Sequence, residues 1–226
     1  MSISFIASCL QTQPRPDFDS AIEEGLKLAE KSLNDDPSII CFPEYCGGLK
    51  SKNGRFIPPH TEEDEHPFLI KFKSFAQNNN VWISIGSIAK TPFGIFGFSV
   101  CYDLRFAQLY RSMAKQGSEV LMVPSAFTKK TGEAHWHVLN RARAIENGAF
   151  VISACATGSI DGGGECYGHS LVIDPWGNVL ADGGVGSRVV SAKINLADVK
   201  DTREKIPSLN HDRDFKLKII DATKEI

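Results

Sequence analysis

The feature that most constrains this chain is a series of short apolar runs, each closed by a turn-forming residue. Runs rich in Val, Ile and Phe that end at Gly, Pro, Asp or Ser are typical of buried β-strands. We predict such strands at residues 2–10, 38–42, 81–87, 95–101, 119–124, 149–157, 169–174 and 188–195. The segments between these runs then decide how the strands are connected and covered.

Several of these segments have helical periodicity. A first helix, with Asp17 or Asp19 as its N-cap, is predicted by apolar residues spaced along one face: Ile22, Leu26, Ala29 and Leu33. Further helices are predicted around the Phe68–Phe75 stripe, at 106–115, and at 134–147 before Gly148, whereas 50–65 is predicted to be a loop. Strands that alternate with helices and then dominate the last third indicate an α/β fold with a mixed sheet, in one domain spanning residues 1–226.

The composition excludes several classes of function. The net charge is −2 with 23% charged residues, and no basic block interleaved with aromatic residues occurs, so a nucleic-acid partner is not expected. No apolar stretch is long enough to span a bilayer, and the first residues do not resemble a secretory signal, so we expect a cytoplasmic protein that does not bind membranes. The six scattered cysteines are expected to be reduced and mostly buried.

Two polar residues follow predicted strands at positions suited to catalysis. Cys101 closes one apolar run where the chain turns toward a helix, and Glu44 is the first charged residue after another. In open α/β folds ligands gather beyond the carboxyl ends of strands, so a carboxylate there could accept the proton of a thiol nucleophile. Free backbone N–H groups past Cys101 would lower the pKa of its thiol. Each residue alone has an ordinary alternative: Cys101 as inert core, and Glu44 as a charge leaving the core.

The order of several blocks resembles the nitrilase superfamily of carbon–nitrogen hydrolases. The blocks are ICFPE at 40–44, GIFGFSVCYDLRF at 94–106, PSAF at 124–127, TGEAHW at 131–136, RARAIEN at 141–147, YGHS at 167–170 and DPWG at 174–177. They are most similar to the omega-amidase and deaminated-glutathione-amidase branch, and the resemblance extends from the first strand to IPSL at 206–209.

This resemblance implies an α-β-β-α sandwich that pairs with a second subunit, giving a homo-oligomer. It also implies hydrolysis of a non-peptide C–N bond in a small-molecule amide, with Cys101 as nucleophile, Glu44 as base, a catalytic lysine, and neither cofactor nor metal. The family lysine lies between the Glu strand and the Cys strand. Here Glu44 and Cys101 are close in sequence, and we expect the strands carrying that lysine to be missing between Lys90 and Thr91. Lys90 matches no family lysine, and a solvated loop charge is its ordinary interpretation.

Four further residues are candidates for substrate binding. Arg105 corresponds to an arginine that holds a substrate carboxylate in related amidases, although an ion pair with Asp103 or Asp174 is an equal alternative. The backbone N–H of Tyr102 is a candidate oxyanion donor, and Phe127 and Thr131 fall in a loop that covers the substrate in similar folds.

Two other patterns are weaker. His135 and His137 form an H-x-H pair, but residues two apart on a helix point in different directions, so we expect no shared metal ion and instead one buried and one surface residue. Gly162–Gly164 lies between two strands rather than before a helix, which predicts a hairpin loop and not a phosphate site.

Three functions compete on this sequence. The first is an amidase, impaired if the lysine is lost. The second is a catalytically inactive nitrilase-like protein whose fold serves binding or oligomerisation. The third is a Cys-His hydrolase in which His135 or His169 is the base, and it explains fewer residues.

Overall fold

The computed structural model describes residues 3–84 and 89–216. The strands in this part of the chain are β1 (Ser4–Gln11), β2 (Ile39–Cys41), β3 (Lys50–Lys52), β4 (Arg55–Ile57), β5 (Trp82–Ser84), β6 (Ala89–Thr91), β7 (Gly94–Phe98), β8 (Val120–Met122), β9 (Phe150–Ser153), β10 (Thr157–Ser159), β11 (Glu165–Tyr167), β12 (Leu171–Ile173), β13 (Val179–Asp182) and β14 (Arg188–Asn195). The helices are α1 (Phe18–Ser32), α2 (Pro67–Asn79), α3 (Ala107–Lys115), α4 (Lys129–Thr131), α5 (His137–Asn147) and α6 (Ala197–Lys205).

Two sheets dominate the described residues. The first has four strands in the order β14-β1-β2-β5, with β1, β2 and β5 parallel and β14 antiparallel to β1. The second has six strands in the order β13-β12-β9-β8-β7-β6, in which β7, β8 and β9 are parallel. The mixed sheets expected from the sequence are therefore present.

The two sheets pack face to face through one apolar layer. Alternate residues of their strands fill this layer, as the twofold side-chain period of a β-strand requires. Its buried members include Phe5, Ala7, Cys9, Ile39, Cys41, Phe96, Val120, Met122, Phe150, Ile152, Val172, Val190 and Ile194. Because this layer is dry and close-packed, it fixes the position of one sheet against the other.

Helices cover the outer faces of both sheets. The intervening residues of β1 and β2, such as Leu10 and Ile40, pack with α1 and α2 through Leu28, Phe68 and Phe72. On the other side, residues of β8, β9 and β12 pack against α3 and α5, with Tyr110, Trp136 and Ala144 in the contact. The layers therefore form the predicted α-β-β-α sandwich.

The predicted helices are close to those found. Asp17 is the N-cap of α1 and accepts a hydrogen bond from the Ser20 N–H, while Gly148 ends α5 in the left-handed conformation at φ 52°. The fourth helix begins earlier than predicted, because α4 runs through a π-helical stretch, Gly132–Trp136, into α5. A side chain at Gly132 would collide with the Tyr167 ring, which explains a glycine there.

Three predictions need correction. Residues 50–65 do not form a plain loop, since β3 and β4 pair as a hairpin whose backbone also bonds Asp161. The strand predicted at 95–101 ends at Phe98, and Cys101 begins a 3-10 helix. The last third also contains a helix, α6, which its polar composition concealed. By contrast, Gly162–Gly164 connects β10 to β11 as the predicted hairpin.

The junction near Lys90 is only partly visible. Lys90 and Thr91 lie together in β6, where Lys90 pairs with Ile95 of β7. Residues 85–88, which include the end of the predicted strand 81–87, lie outside the described residues, and so does the side chain of Lys90. The loss of strands at this junction therefore stays a prediction. In the described part of the chain, no helix has the length and apolar character needed to cross a membrane.

A buried glutamine connects the two sheets. Gln11, at the end of β1, is fully buried, and its amide nitrogen donates to the carbonyls of Gly184 (3.0 Å) and Gly186 (2.8 Å). Its amide oxygen accepts from the Ser170 N–H at 2.7 Å, just before β12. These bonds hold the residue before β12 and the β13–β14 loop against the end of β1.

We predict that Gln11→Leu lowers the free energy of unfolding by about 2 to 4 kcal/mol, because it leaves the buried Ser170 N–H and the partly buried Gly186 carbonyl without their partner. Chemical denaturation followed by circular dichroism measures the change. Gln77→Leu, the same substitution at an exposed position of α2, is the control and should change stability little. Equal effects of the two substitutions would show that the bonds of Gln11 contribute nothing specific.

Candidate active site

Cys101 occupies a constrained turn after β7. Its φ is 42°, in the left-handed region that residues other than glycine rarely adopt, and such conformations concentrate at functional sites. Its N–H donates to the Pro124 carbonyl at 2.9 Å, and Asp103 fastens the turn by accepting from the Val100 N–H at 3.0 Å. The thiol is therefore held where the parallel strands β7 and β8 end, as predicted.

Glu44 reaches the same place from the other sheet. It follows β2, and its carboxylate accepts a hydrogen bond from the Ala126 N–H, beyond β8, at 3.1 Å. The Cys101 thiol lies next to this carboxylate, close enough for each group to shift the pKa of the other. The segment from β3 to β7 separates these two residues in the sequence. The fold brings them together where the two sheets meet.

The surroundings raise the pKa of both groups. Burial is the main cause of a Cys101 pKa of about 12, and the neighbouring Glu44 carboxylate raises it further. Burial also raises the pKa of Glu44, although the neighbouring thiol and the bond from the Ala126 N–H counteract part of this effect. The expected lowering of the Cys101 pKa is therefore wrong, because burial and a neighbouring carboxylate outweigh the dipoles of the turn.

No cation is among the main influences on Cys101 in the described part of the chain. Those influences are burial, Glu44, the Ala126 backbone and Cys166. A nearby ammonium would lower the pKa of the thiol and stabilise an oxyanion, and the side chain of Lys90 is not among the described groups. The site as described thus places a carboxylate next to a thiol, and the carboxylate disfavours the ionisation of the thiol.

Arg105, four residues after Cys101, lies in an aromatic setting. Its guanidinium carbon is 5.5 Å from the ring centres of both Tyr102 and Phe127, a cation–π arrangement, and its nitrogens are 3.4 Å from His135 Nδ1. Neither acid suggested as its ion-pair partner takes that role: Asp103 caps the turn of Cys101, and Asp174 binds the backbone of Trp176 and Asn178. The planar donor group of Arg105 is thus positioned without a carboxylate from either of them.

The remaining candidates have mixed surroundings. Phe127 is buried and packs on Trp136 with ring centres 4.8 Å apart, so its ring lies between Trp136 and Arg105. Tyr102 is 66% exposed, which leaves its side chain free to meet a ligand. Thr131 bonds the hydroxyl of Thr128 at 2.9 Å, and this local bond gives it a part in starting α4. Substrate binding by these residues stays a prediction.

The histidines do not serve as the base of Cys101 in this arrangement. Among the described side chains, Glu44 has the largest influence on the pKa of the thiol, whereas His135 contacts Arg105 and His169 contacts Asp182. His135 is exposed and His137 is half-buried, close to the expected surface and interior positions. Sequence reasoning missed the Ala126 N–H that holds Glu44, because a backbone donor has no side-chain signature.

We predict that Glu44→Gln makes Cys101 more reactive toward iodoacetamide at fixed pH. The amide removes the negative charge that raises the thiol pKa, and the thiolate fraction grows roughly tenfold for each unit by which that pKa falls. Alkylation rates from peptide mapping at pH 8 to 9 measure the effect, with the half-buried Cys46 as an internal control. Slower alkylation in the variant would show that Glu44 already removes the thiol proton in the resting site.

The sequence of this chain is similar to those of known amidases. The chain is 48% identical over 119 residues to deaminated glutathione amidase of Synechocystis, covering 53% of this chain and 44% of that protein. It is 45% identical over 186 residues to the Dictyostelium discoideum protein of that name, covering 80% of this chain and 63% of the relative. The chain thus spans about half to two thirds of the length of these relatives.

Solved structures show the same fold. The crystal structure of the C. elegans NitFhit protein superimposes with a TM-score of 0.82 at 24% identity, covering 94% of this chain and 66% of that one. The sequence profile of the carbon–nitrogen hydrolase family matches residues 87–204, slightly more than half of the chain. That segment contains Cys101, Tyr102, Arg105, Phe127 and Thr131, while Glu44 lies before it. The chain therefore belongs to the carbon–nitrogen hydrolase family and has the fold of the nitrilase superfamily.

Proposed function

We propose that this protein hydrolyses a small carboxylate-bearing amide through a thioester on Cys101. The observation that carries the proposal is the position of the Glu44 carboxylate, held by the Ala126 N–H, next to the Cys101 thiol. A carboxylate in contact with a thiol can accept its proton as the sulfur attacks and can later return that proton to the leaving group. The named activity of the similar amidases supports the same chemistry.

The proton balance assigns each step to a residue. Glu44 takes the thiol proton while the Cys101 sulfur bonds the amide carbon, and the carbonyl oxygen becomes an oxyanion near the Tyr102 N–H. Glu44 then gives the proton to the nitrogen, the C–N bond breaks, and ammonia leaves. In the second half Glu44 takes a proton from water, whose oxygen attacks the thioester. The proton returns to the sulfur, and the free carboxylic acid is released.

The substrate class follows from Arg105. A guanidinium held between Tyr102 and Phe127 can bind a carboxylate through two parallel hydrogen bonds, which would orient the far end of a monoamide of a dicarboxylic acid. Phe127 and Thr131 would then border the substrate.

A second candidate function is a nitrilase-like protein without catalysis. The observation that favours it is the Cys101 pKa of about 12, since no described cation offsets Glu44 and few thiols would ionise at neutral pH. Loss of one oxyanion-stabilising group typically lowers the rate by about 10² to 10³. The fold would then serve binding or oligomerisation, and activity measurements separate the two functions.

The cellular location and the oligomeric state of the protein are also proposals. Free thiols at all six cysteines fit a reducing cytoplasm. Homo-oligomerisation is supported by exposed apolar side chains along the α3–α5 face, where Ile145 and Ile206 are 51% and 54% exposed. Patches of this kind on a protein surface mark interaction sites.

We expect this chain to release ammonia from a succinamate-like monoamide, with Cys101→Ala and Glu44→Gln abolishing the release and Cys46→Ala leaving it intact. A version with the family lysine segment restored should be faster by at least about 10², the value of one oxyanion donor. Comparable turnover of the two would show that another cation replaces the lysine. Absence of both ammonia and a covalent adduct in the intact mass would favour the non-catalytic function.

Arg105→Lys is expected to raise KM for an omega-amide that carries a carboxylate by about tenfold, because lysine cannot form the planar two-donor contact. KM for a neutral amide of equal size should change little. Steady-state kinetics with both substrates measures the difference, and Arg213→Lys, the same change at an exposed arginine, is the control. An equal rise for both substrates would assign Arg105 a structural role.

A further inference from the structure

Three side chains with metal-binding atoms converge on the surface. His137 is the first residue of α5, His169 lies between β11 and β12, and Asp182 ends β13. His137 Nε2 is 3.1 Å from Asp182 Oδ2, and His169 Nδ1 is 2.9 Å from Asp182 Oδ1. One ligand atom from each residue lies within 4.8 Å of the other two. Three distant parts of the sequence thus offer two imidazole nitrogens and a carboxylate at one point.

The surrounding structure holds these groups in place. The Gly184 N–H donates to Asp182 Oδ1 at 2.8 Å, which orients the carboxylate. The His169 ring stacks on Tyr167 with ring centres 4.5 Å apart, and the His169 carbonyl accepts from the Trp136 indole at 2.7 Å. His169 also adopts the left-handed backbone conformation, at φ 52°. Outer-shell contacts of this kind orient ligands and tune metal sites.

The donor set has a defined chemical preference. Two imidazoles and one carboxylate suit divalent first-row transition ions, above all Zn²⁺, more than Mg²⁺ or Ca²⁺, which prefer oxygen ligands alone. The side chains of His137, His169 and Asp182 are 33%, 24% and 35% exposed, so an ion has an open path and water can complete a tetrahedron. The alternative is that these three side chains only form hydrogen bonds with one another, and the test must distinguish this from metal binding.

We propose that His137, His169 and Asp182 form a binding site for a divalent transition-metal ion of the Zn²⁺ type, with water as the fourth ligand. The site is separate from the Glu44–Cys101 pair and does not depend on the proposed hydrolysis. Because its ligands come from α5, the turn before β12 and the end of β13, an ion would cross-link these segments. It would also fix His169, whose carbonyl holds Trp136 behind Phe127.

Isothermal titration of the metal-free chain with Zn²⁺ tests the site, and Mg²⁺ is the comparison ion. We expect one equivalent of Zn²⁺ to bind and to raise the thermal midpoint, with no such effect of Mg²⁺. His169→Asn should remove that equivalent, because asparagine tolerates the left-handed backbone but lacks the imidazole. His137→Gln should do the same. His135→Gln, two residues earlier on the same helical segment, is the matched control and should bind normally.

Two outcomes would overturn the proposal. One is Zn²⁺ binding that is absent from the parent chain or unchanged in both His169→Asn and His137→Gln. The other is a Co²⁺-loaded chain with thiolate charge-transfer absorption, which would place the ion on cysteines instead. Circular dichroism checks that the variants fold. If His169→Asn is unfolded, the folded His137→Gln variant decides. Loss of the bound Zn²⁺ in that variant supports the site, and retention of the Zn²⁺ overturns the proposal.

Discussion

The apolar layer between the two sheets is the interaction on which the rest of this molecule depends. Alternate residues of β1 and β2 meet those of β7, β8 and β9 in this layer, and their close packing fixes where the strand ends lie. Glu44 follows a strand of one sheet and Cys101 follows a strand of the other. They are neighbours only because the two sheets are stacked in this relative position. The buried Gln11 side chain reinforces the same alignment with three hydrogen bonds.

The electrostatics of the pair follow from its burial. A carboxylate and a thiol placed together away from water both resist ionisation, and the pKa of Cys101 rises to about 12 beside Glu44. A cation would reverse this effect and would also stabilise an oxyanion. The chemistry of the site therefore depends on whether a positive group reaches it. For Arg105, held on Tyr102 and Phe127, we propose a different role, the binding of a substrate carboxylate.

Aromatic packing links the site to the surface. Phe127 lies between Arg105 and Trp136, and the Trp136 indole holds the backbone of His169 in the cluster with His137 and Asp182. The π-helical stretch Gly132–Trp136 contains both the buried Trp136 and Gly132, where the absence of a side chain leaves room for the Tyr167 ring. Such widened helical turns occur frequently at functional sites.

The sequence by itself determined the class of fold, most strand and helix positions, and the strand-end locations of Cys101 and Glu44. Local periodicity, caps such as Asp17 and family blocks carry that information. Tertiary structure alone decided which groups touch: the Ala126 N–H on Glu44, the raised pKa of Cys101, the aromatic support of Arg105 and the meeting of His137, His169 and Asp182. The physical reason is that burial, charge and metal-binding geometry depend on distances between segments far apart in the chain, which no local pattern encodes.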